Sequence, residues 1–119
     1  MSKRGDADLI NDIKEAMNRI GLYTEKTDYE EFLRDPMIQD AVVRNLEIIG
    51  EAVKNLSSSL KEKYPRIAWK EMAGIRDRLI HHYFGVNYDI VWAIIKKELP
   101  GTAENIDRII INKKNMGNK

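Results

Sequence analysis

Asp35-Pro36-Met37-Ile38-Gln39-Asp40-Ala41-Val42-Val43-Arg44-Asn45-Leu46-Glu47-Ile48-Ile49-Gly50-Glu51-Ala52-Val53-Lys54-Asn55-Leu56 keeps one periodicity from end to end. Ile38, Val42, Leu46, Ile49, Val53 and Leu56 recur at intervals of three and four, which lines them up along one side of a helix. Asp35 offers a side-chain oxygen to the first-turn amides, and Pro36 stands where a missing N–H costs nothing. A helix this long with a single apolar stripe must bury that stripe against other helices, and no strand-like alternation occurs elsewhere to cover it. Gly50 interrupts the run at a propensity cost of about 1 kcal/mol relative to alanine, so a neighbouring helix is expected to pass close to it. Arg44 and Glu51, seven residues apart, share a face; pairing with each other is expected of them ahead of lining a pocket.

The rest of the chain reads as further helices. Upstream, Leu9, Ile10, Ile13, Ala16, Met17 and Ile20 form a first helix with Asp6 or Asp8 as its N-cap and Gly21 as its stop. Thr27-Asp28-Tyr29-Glu30 carries a Thr-x-x-Glu capping box and opens a short helix that Pro36 limits, its acidic residues forming a solvated face. Downstream, Ser57-Ser58-Ser59 begins a connector in which Leu60 to Pro65 hold at most one helical turn. A helix from about Arg66 to His82 follows, packed through Ile67, Trp69, Met72, Ile75 and Leu79, with Trp69 in the core and not a base-stacking platform. Asn87 caps the next helix, Pro100-Gly101 closes it, and Thr102 to Asn105 open a last one bearing Ile106, Ile109 and Ile110. The expected architecture is an all-α, up-and-down bundle of five or six helices forming one domain over 1–119. Its ordered core covers about 6–111, and residues 112–119 form a frayed, polar, basic tail.

Chemistry concentrates in Arg76-Asp77-Arg78-Leu79-Ile80-His81-His82-Tyr83. A guanidinium is permanently charged and suits phosphate oxygens; an imidazole moves protons in both directions near neutral pH. RNA carries its own nucleophile in the ribose 2′-hydroxyl. Cleavage therefore needs a proton acceptor, a cation for the charge developing on phosphorus, and groups that hold the strand in line. His81 and Arg76 supply the first two without a metal. On a regular helix the pair would lie about 140° apart, so either the helix loosens at His81 or a second copy of the chain completes the site. Gly85 is well placed to be the left-handed residue that ends the helix. Asp77, at i−4 from His81, is a supporting candidate for a hydrogen bond to the imidazole. Adjacent histidines on a helix point about 100° apart and cannot chelate together, so no metal site is read here. No serine triad or Gly-rich phosphate loop is present, and no cofactor is implied.

The run Pro65 to Trp92, with Arg76-x4-His81-x-Tyr83 at its centre, resembles the signature region of the HepT family, HEPN-domain toxins whose hallmark is Arg-x4-His-x-Tyr. Arg44-Asn45-Leu46-Glu47-Ile48-Ile49-Gly50-Glu51-Ala52 is similar to the family's second block, and the likeness extends from about Leu9 to Ile111. The resemblance implies a helical homodimer that brings two motif helices face to face, with Arg76 and His81 as the catalytic pair of a metal-independent endoribonuclease. It also implies a partner, an MNT-type nucleotidyltransferase antitoxin that transfers AMP to Tyr83 and silences the enzyme. Asp77 departs mildly from the pattern, which often has asparagine there, and an acid beside the catalytic arginine leaves the strength of RNA binding open. Arg78 and His82 have no assigned role; surface contact is expected of them ahead of substrate contact. The competing expectation is a non-catalytic HEPN subunit that presents substrate or nucleotide to a nucleotidyltransferase, since this fold serves both uses.

Composition sets the bounds. Residues of 43% hydrophobic and 33% charged character describe a folded, water-facing chain. Twenty basic against nineteen acidic residues leave a net charge of +1, so RNA affinity has to come from local clustering and the encounter is transient. The absence of cysteine rules out disulfides and thiolate metal sites and suits a reducing compartment, with cytoplasm the expectation. Neither a signal-peptide stretch nor an apolar run of membrane-spanning length is read from the sequence.

Overall fold

The computed structural model describes residues 4–81 and 85–117, and for 81 and 113–117 the backbone alone. It is an all-α bundle. Three long helical runs carry it: α1 (Asp6–Thr24), α3 (Pro36–Asn55), and a continuous run from Tyr88 to Gly117. Between them lie the short helices α2 (Tyr29–Arg34), α4 (Ser58–Lys63), α5 (Trp69–Ala73) and α6 (Ile75–Leu79). α1 and α3 form the most extensive pairing, and both α5 and α6 lean on α3. Ile13, Ile20, Val42, Leu46, Ile49 and Ile106 are fully buried in one continuous core.

The caps explain where the helices begin. Asp35 accepts hydrogen bonds from the amides of Met37 and Ile38, and Asn87 from those of Asp89 and Ile90, as the sequence predicts. Two other starts differ. α1 is entered from Gly5, and Asp6 turns instead to Ser57, accepting from its amide at 2.9 Å and its hydroxyl at 2.5 Å; this fastens the start of α1 beside that of α4. α2 is capped by Asp28, which accepts from the Glu31 amide, while the Thr27 hydroxyl donates back to the Tyr23 carbonyl. The predicted capping box is therefore displaced by one residue, because aspartate reaches the third amide as well as threonine does. α4, capped by the Ser57 hydroxyl, begins at Ser58 and takes six residues, more than the single turn expected of the connector.

Neither predicted stop at glycine holds. α1 runs through Gly21 to Thr24 because Ile20 and Thr24 are both buried beyond or beside it, and the Thr24 hydroxyl closes on the Ile20 carbonyl at 2.7 Å. At Pro100-Gly101 the chain does not leave the helix. α7 (Tyr88–Ala93) passes into a π-helical turn, Ile94–Glu98, which passes directly into α8 (Leu99–Gly117). The wider turn is the physical reason: proline lacks an N–H and crowds the carbonyl of the preceding turn, and an extra residue there makes room. α8 continues to Gly117, through backbone for which the sequence predicts fraying.

Gly50 marks a close crossing, as expected. A methyl group on it would lie 3.3 Å from the Met72 carbonyl oxygen and 3.6 Å from that of Ala73, so α3 and α5 touch backbone to side. Among the described residues no helix is long and apolar enough to cross a membrane.

Candidate active site

The predicted helix from Arg66 to His82 is broken in the structure. Trp69, buried with its indole N–H donating to the Tyr64 carbonyl at 3.0 Å, anchors α5; Gly74 separates α5 from α6. Met72, Ile75 and Leu79 are buried, which turns Arg76, Asp77 and Arg78 outward. At Ile80 the backbone becomes extended. β1 (Ile80–His81) pairs antiparallel with β2 (Gly85–Val86), Ile80 opposite Val86 and His81 opposite Gly85, and the Asn87 amide donates to the Leu79 carbonyl at 2.7 Å. Gly85 has φ +72°, so the left-handed residue is found where expected, but it serves a hairpin and not a helix end. The sequence shows no hairpin signal because each strand is only two residues long.

This break alters the geometry of the motif. Since the helix ends at Leu79, the 140° separation that a regular helix would impose on Arg76 and His81 does not apply, nor does the i−4 relation between Asp77 and His81. The His81 backbone stands at the base of the hairpin. Its side chain, and the whole of His82 and Tyr83, lie outside the described residues.

The two arginines of α6 have different surroundings. Arg78 donates from both terminal nitrogens to the carboxylate of Glu98, at 2.9 and 2.7 Å, tying α6 to the π turn twenty residues on. That bidentate contact holds the Glu98 carboxyl below its ordinary range and raises Arg78 above its own. Arg76 is 68% exposed, and its Nε lies 3.8 Å from Glu47 on α3. Arg44 and Glu51, expected to pair with each other ahead of lining a pocket, instead both line a groove with Glu47, Lys54 and Arg76.

On the other side of the hairpin, Tyr29 hydrogen-bonds to Asp89, and this bond, followed by burial and the negative charges of Asp89 and Glu30, pushes its phenol above the ordinary value. Phe32, Tyr88 and Trp92 stack beside it, with the Lys96 ammonium 4.7 Å from the Trp92 ring, so α2 is locked to α7 next to β2. A hollow of about 520 Å³ between Tyr29, Leu33 and the Gly85–Asp89 segment opens there. Among the described residues no three His, Cys, Asp or Glu side chains gather as metal ligands would.

The chain as a whole is similar to known proteins. The family model described as Ribonuclease HepT-like matches residues 13–109. A protein of Methanocaldococcus jannaschii named putative RNase is 46% identical over 110 residues, 92% of this chain and 91% of its own. A protein of Caldanaerobacter subterraneus with the same name is 51% identical over 86 residues, 72% of this chain and 77% of its own. One of Thermococcus cleftensis, named probable ribonuclease HepT, is 42% identical over 107 residues, 90% of this chain and 97% of its own. No solved structure matches the chain.

Proposed function

The chain belongs to the HepT-like ribonuclease family, and from that we propose that it is a metal-independent RNA endonuclease acting as the toxin of a toxin–antitoxin pair. Arg76 and His81 are its catalytic residues; the support expected of Asp77 rested on a helical spacing to His81 that the break after Leu79 removes. The observation that carries this assignment is the contrast within α6: Arg78 is consumed by Glu98, whereas Arg76 is left exposed at a groove, with the backbone of His81 released from the helix just beyond.

The chemistry follows from what these groups can do. The imidazole of His81 takes the proton of a ribose 2′-hydroxyl, the 2′ oxygen bonds to phosphorus, and the bond from phosphorus to the 5′ oxygen breaks. The leaving oxygen takes a proton from a second imidazole, which a homodimer supplies, and the products are a cyclic 2′,3′-phosphate and a 5′-hydroxyl. Arg76 meets the negative charge that builds on the phosphoryl oxygens and binds it more strongly in the transition state than in the substrate. Control is exerted at Tyr83. A nucleotidyltransferase antitoxin joins the phenol oxygen to the α-phosphorus of ATP and releases pyrophosphate; the adenylate adds charge and bulk two residues from His81 and repels RNA phosphate. The lack of cysteine accords with a reducing compartment, the cytoplasm.

Expression of the gene alone tests the assignment. Wild type should arrest growth, and Arg76→Ala and His81→Ala should each relieve the arrest. Arrest that persists in both variants removes the catalytic claim; a wild type that binds RNA without cutting it favours a helical adaptor.

A further inference from the structure

The groove beside Arg76 has a makeup that the catalytic assignment does not use. Its floor is Gly50 of α3 and Ala73 of α5, and its walls are Arg44, Glu47, Glu51 and Lys54 of α3 with Arg76 of α6, around a volume of about 160 Å³. The floor is backbone, because the missing side chain at Gly50 lets α3 approach the carbonyls of Met72 and Ala73. Arg44 and Lys54 are exposed, and neither forms an ion pair with another described residue. They are ten residues apart, about 15 Å along the helix axis at 1.5 Å per residue. Arg76 reaches the same groove from α6, with its Nε edge toward Glu47.

Separate cations spread along a shallow polar groove match a chain of phosphates better than a single anion, which would draw them to one point. We propose that this face of α3 is a track for single-stranded RNA, with Arg44 and Lys54 each binding a phosphate that flanks the one cut beside Arg76. The inference rests on the ribonuclease reading for the identity of the strand. Glu47 engages the Nε edge of Arg76 and leaves its terminal nitrogens to the strand. Glu51 opposes the backbone charge and keeps binding weak. With three cations against two carboxylates, the track carries one net positive charge, in keeping with a chain of net charge +1 and with rapid release of product.

Binding and cutting are separable, so the test uses a fluorescent single-stranded RNA with 2′-O-methyl groups throughout, which lacks the internal nucleophile. Its affinity for the full chain is read by anisotropy over a range of salt. Arg44→Gln and Lys54→Gln should each weaken binding about fivefold and flatten the logarithmic salt slope by about 0.7, one phosphate contact apiece. Glu51→Gln should tighten binding, a gain no structural defect produces. Melting curves that match wild type confirm that each variant is folded. Absence of binding by wild type, no change in either cation variant, or a response of only one of the two overturns the track. If the binding pattern holds while wild type cuts no natural RNA, the nuclease reading falls and the track stands.

Discussion

Arg78 grips Glu98 through two hydrogen bonds of 2.9 and 2.7 Å, and in doing so joins the short motif helix to the π turn in the chain's last helical run. The π turn widens the helix just where Pro100 would crowd it, and it sets Glu98 within reach of α6. One arginine of the motif is therefore a fastening, and its neighbour two residues earlier is left exposed, 3.8 Å from Glu47.

The fastening gives a pH dependence. Because Arg78 lowers the Glu98 carboxyl, the pair adds stability at every pH above the ordinary glutamate value, and that stability is lost as pH falls through the lowered value in the folded state. Both side chains are more than a third exposed, so the contribution is no more than about 1 kcal/mol after solvent screening. Glu98→Gln should lower Tm by about 4 °C at neutral pH, and the difference from wild type should vanish in acid. Thermal melts across pH read this directly.

The two arginines should also divide in kinetics. Arg76→Ala should reduce kcat about 10²-fold to 10³-fold with an unchanged Tm, the usual loss when one preorganised donor to a developing charge is removed. Arg78→Ala should lower Tm and leave most of kcat. Single-turnover cleavage and melting of both proteins check the pair of outcomes together.

Much of this was legible in the sequence where local rules act alone. The caps at Asp35 and Asn87, the apolar stripe from Ile38 to Leu56, the burial of Trp69 and the tight crossing at Gly50 all follow from side-chain reach and helical spacing. Tertiary contacts decided the rest. Gly21 and Pro100 read as stops, but buried neighbours carry the helix past the first and a π turn past the second. The motif helix ends at Leu79 because the segment after it pairs with Gly85 and Val86, a contact of two residues that leaves no periodicity to detect. Glu98 and Glu47, the carboxylates facing the two arginines, are twenty and twenty-nine residues from their partners and share no helix with them.

Gly50 offers a test of the crossing that sets Arg76 in place. Gly50→Ala should be nearly neutral, since a gain in helix propensity of about 1 kcal/mol is offset by pressing on the Met72 carbonyl 3.3 Å away. Gly50→Val should cost about 2 kcal/mol and lower kcat as well, because it pushes α5 and α6 off α3. Denaturant titration alongside a cleavage assay separates the two effects.

Tyr83 is the proposed point of control. Tyr83→Phe should cut RNA as wild type does yet accept no adenylate from the nucleotidyltransferase and ATP, and it should remain toxic when both proteins are made. Intact-mass measurement shows the adduct or its absence. Neutralisation of the phenylalanine variant as complete as that of wild type would mean that the partner acts by steric cover.

The most direct measurement is cleavage of a single-stranded RNA by the purified protein in excess chelator, with wild type and His81→Ala side by side. Wild type should give fragments ending in a cyclic 2′,3′-phosphate, and the variant none. Equal cleavage by both proteins, or cleavage by wild type only when a divalent metal is restored, would contradict it.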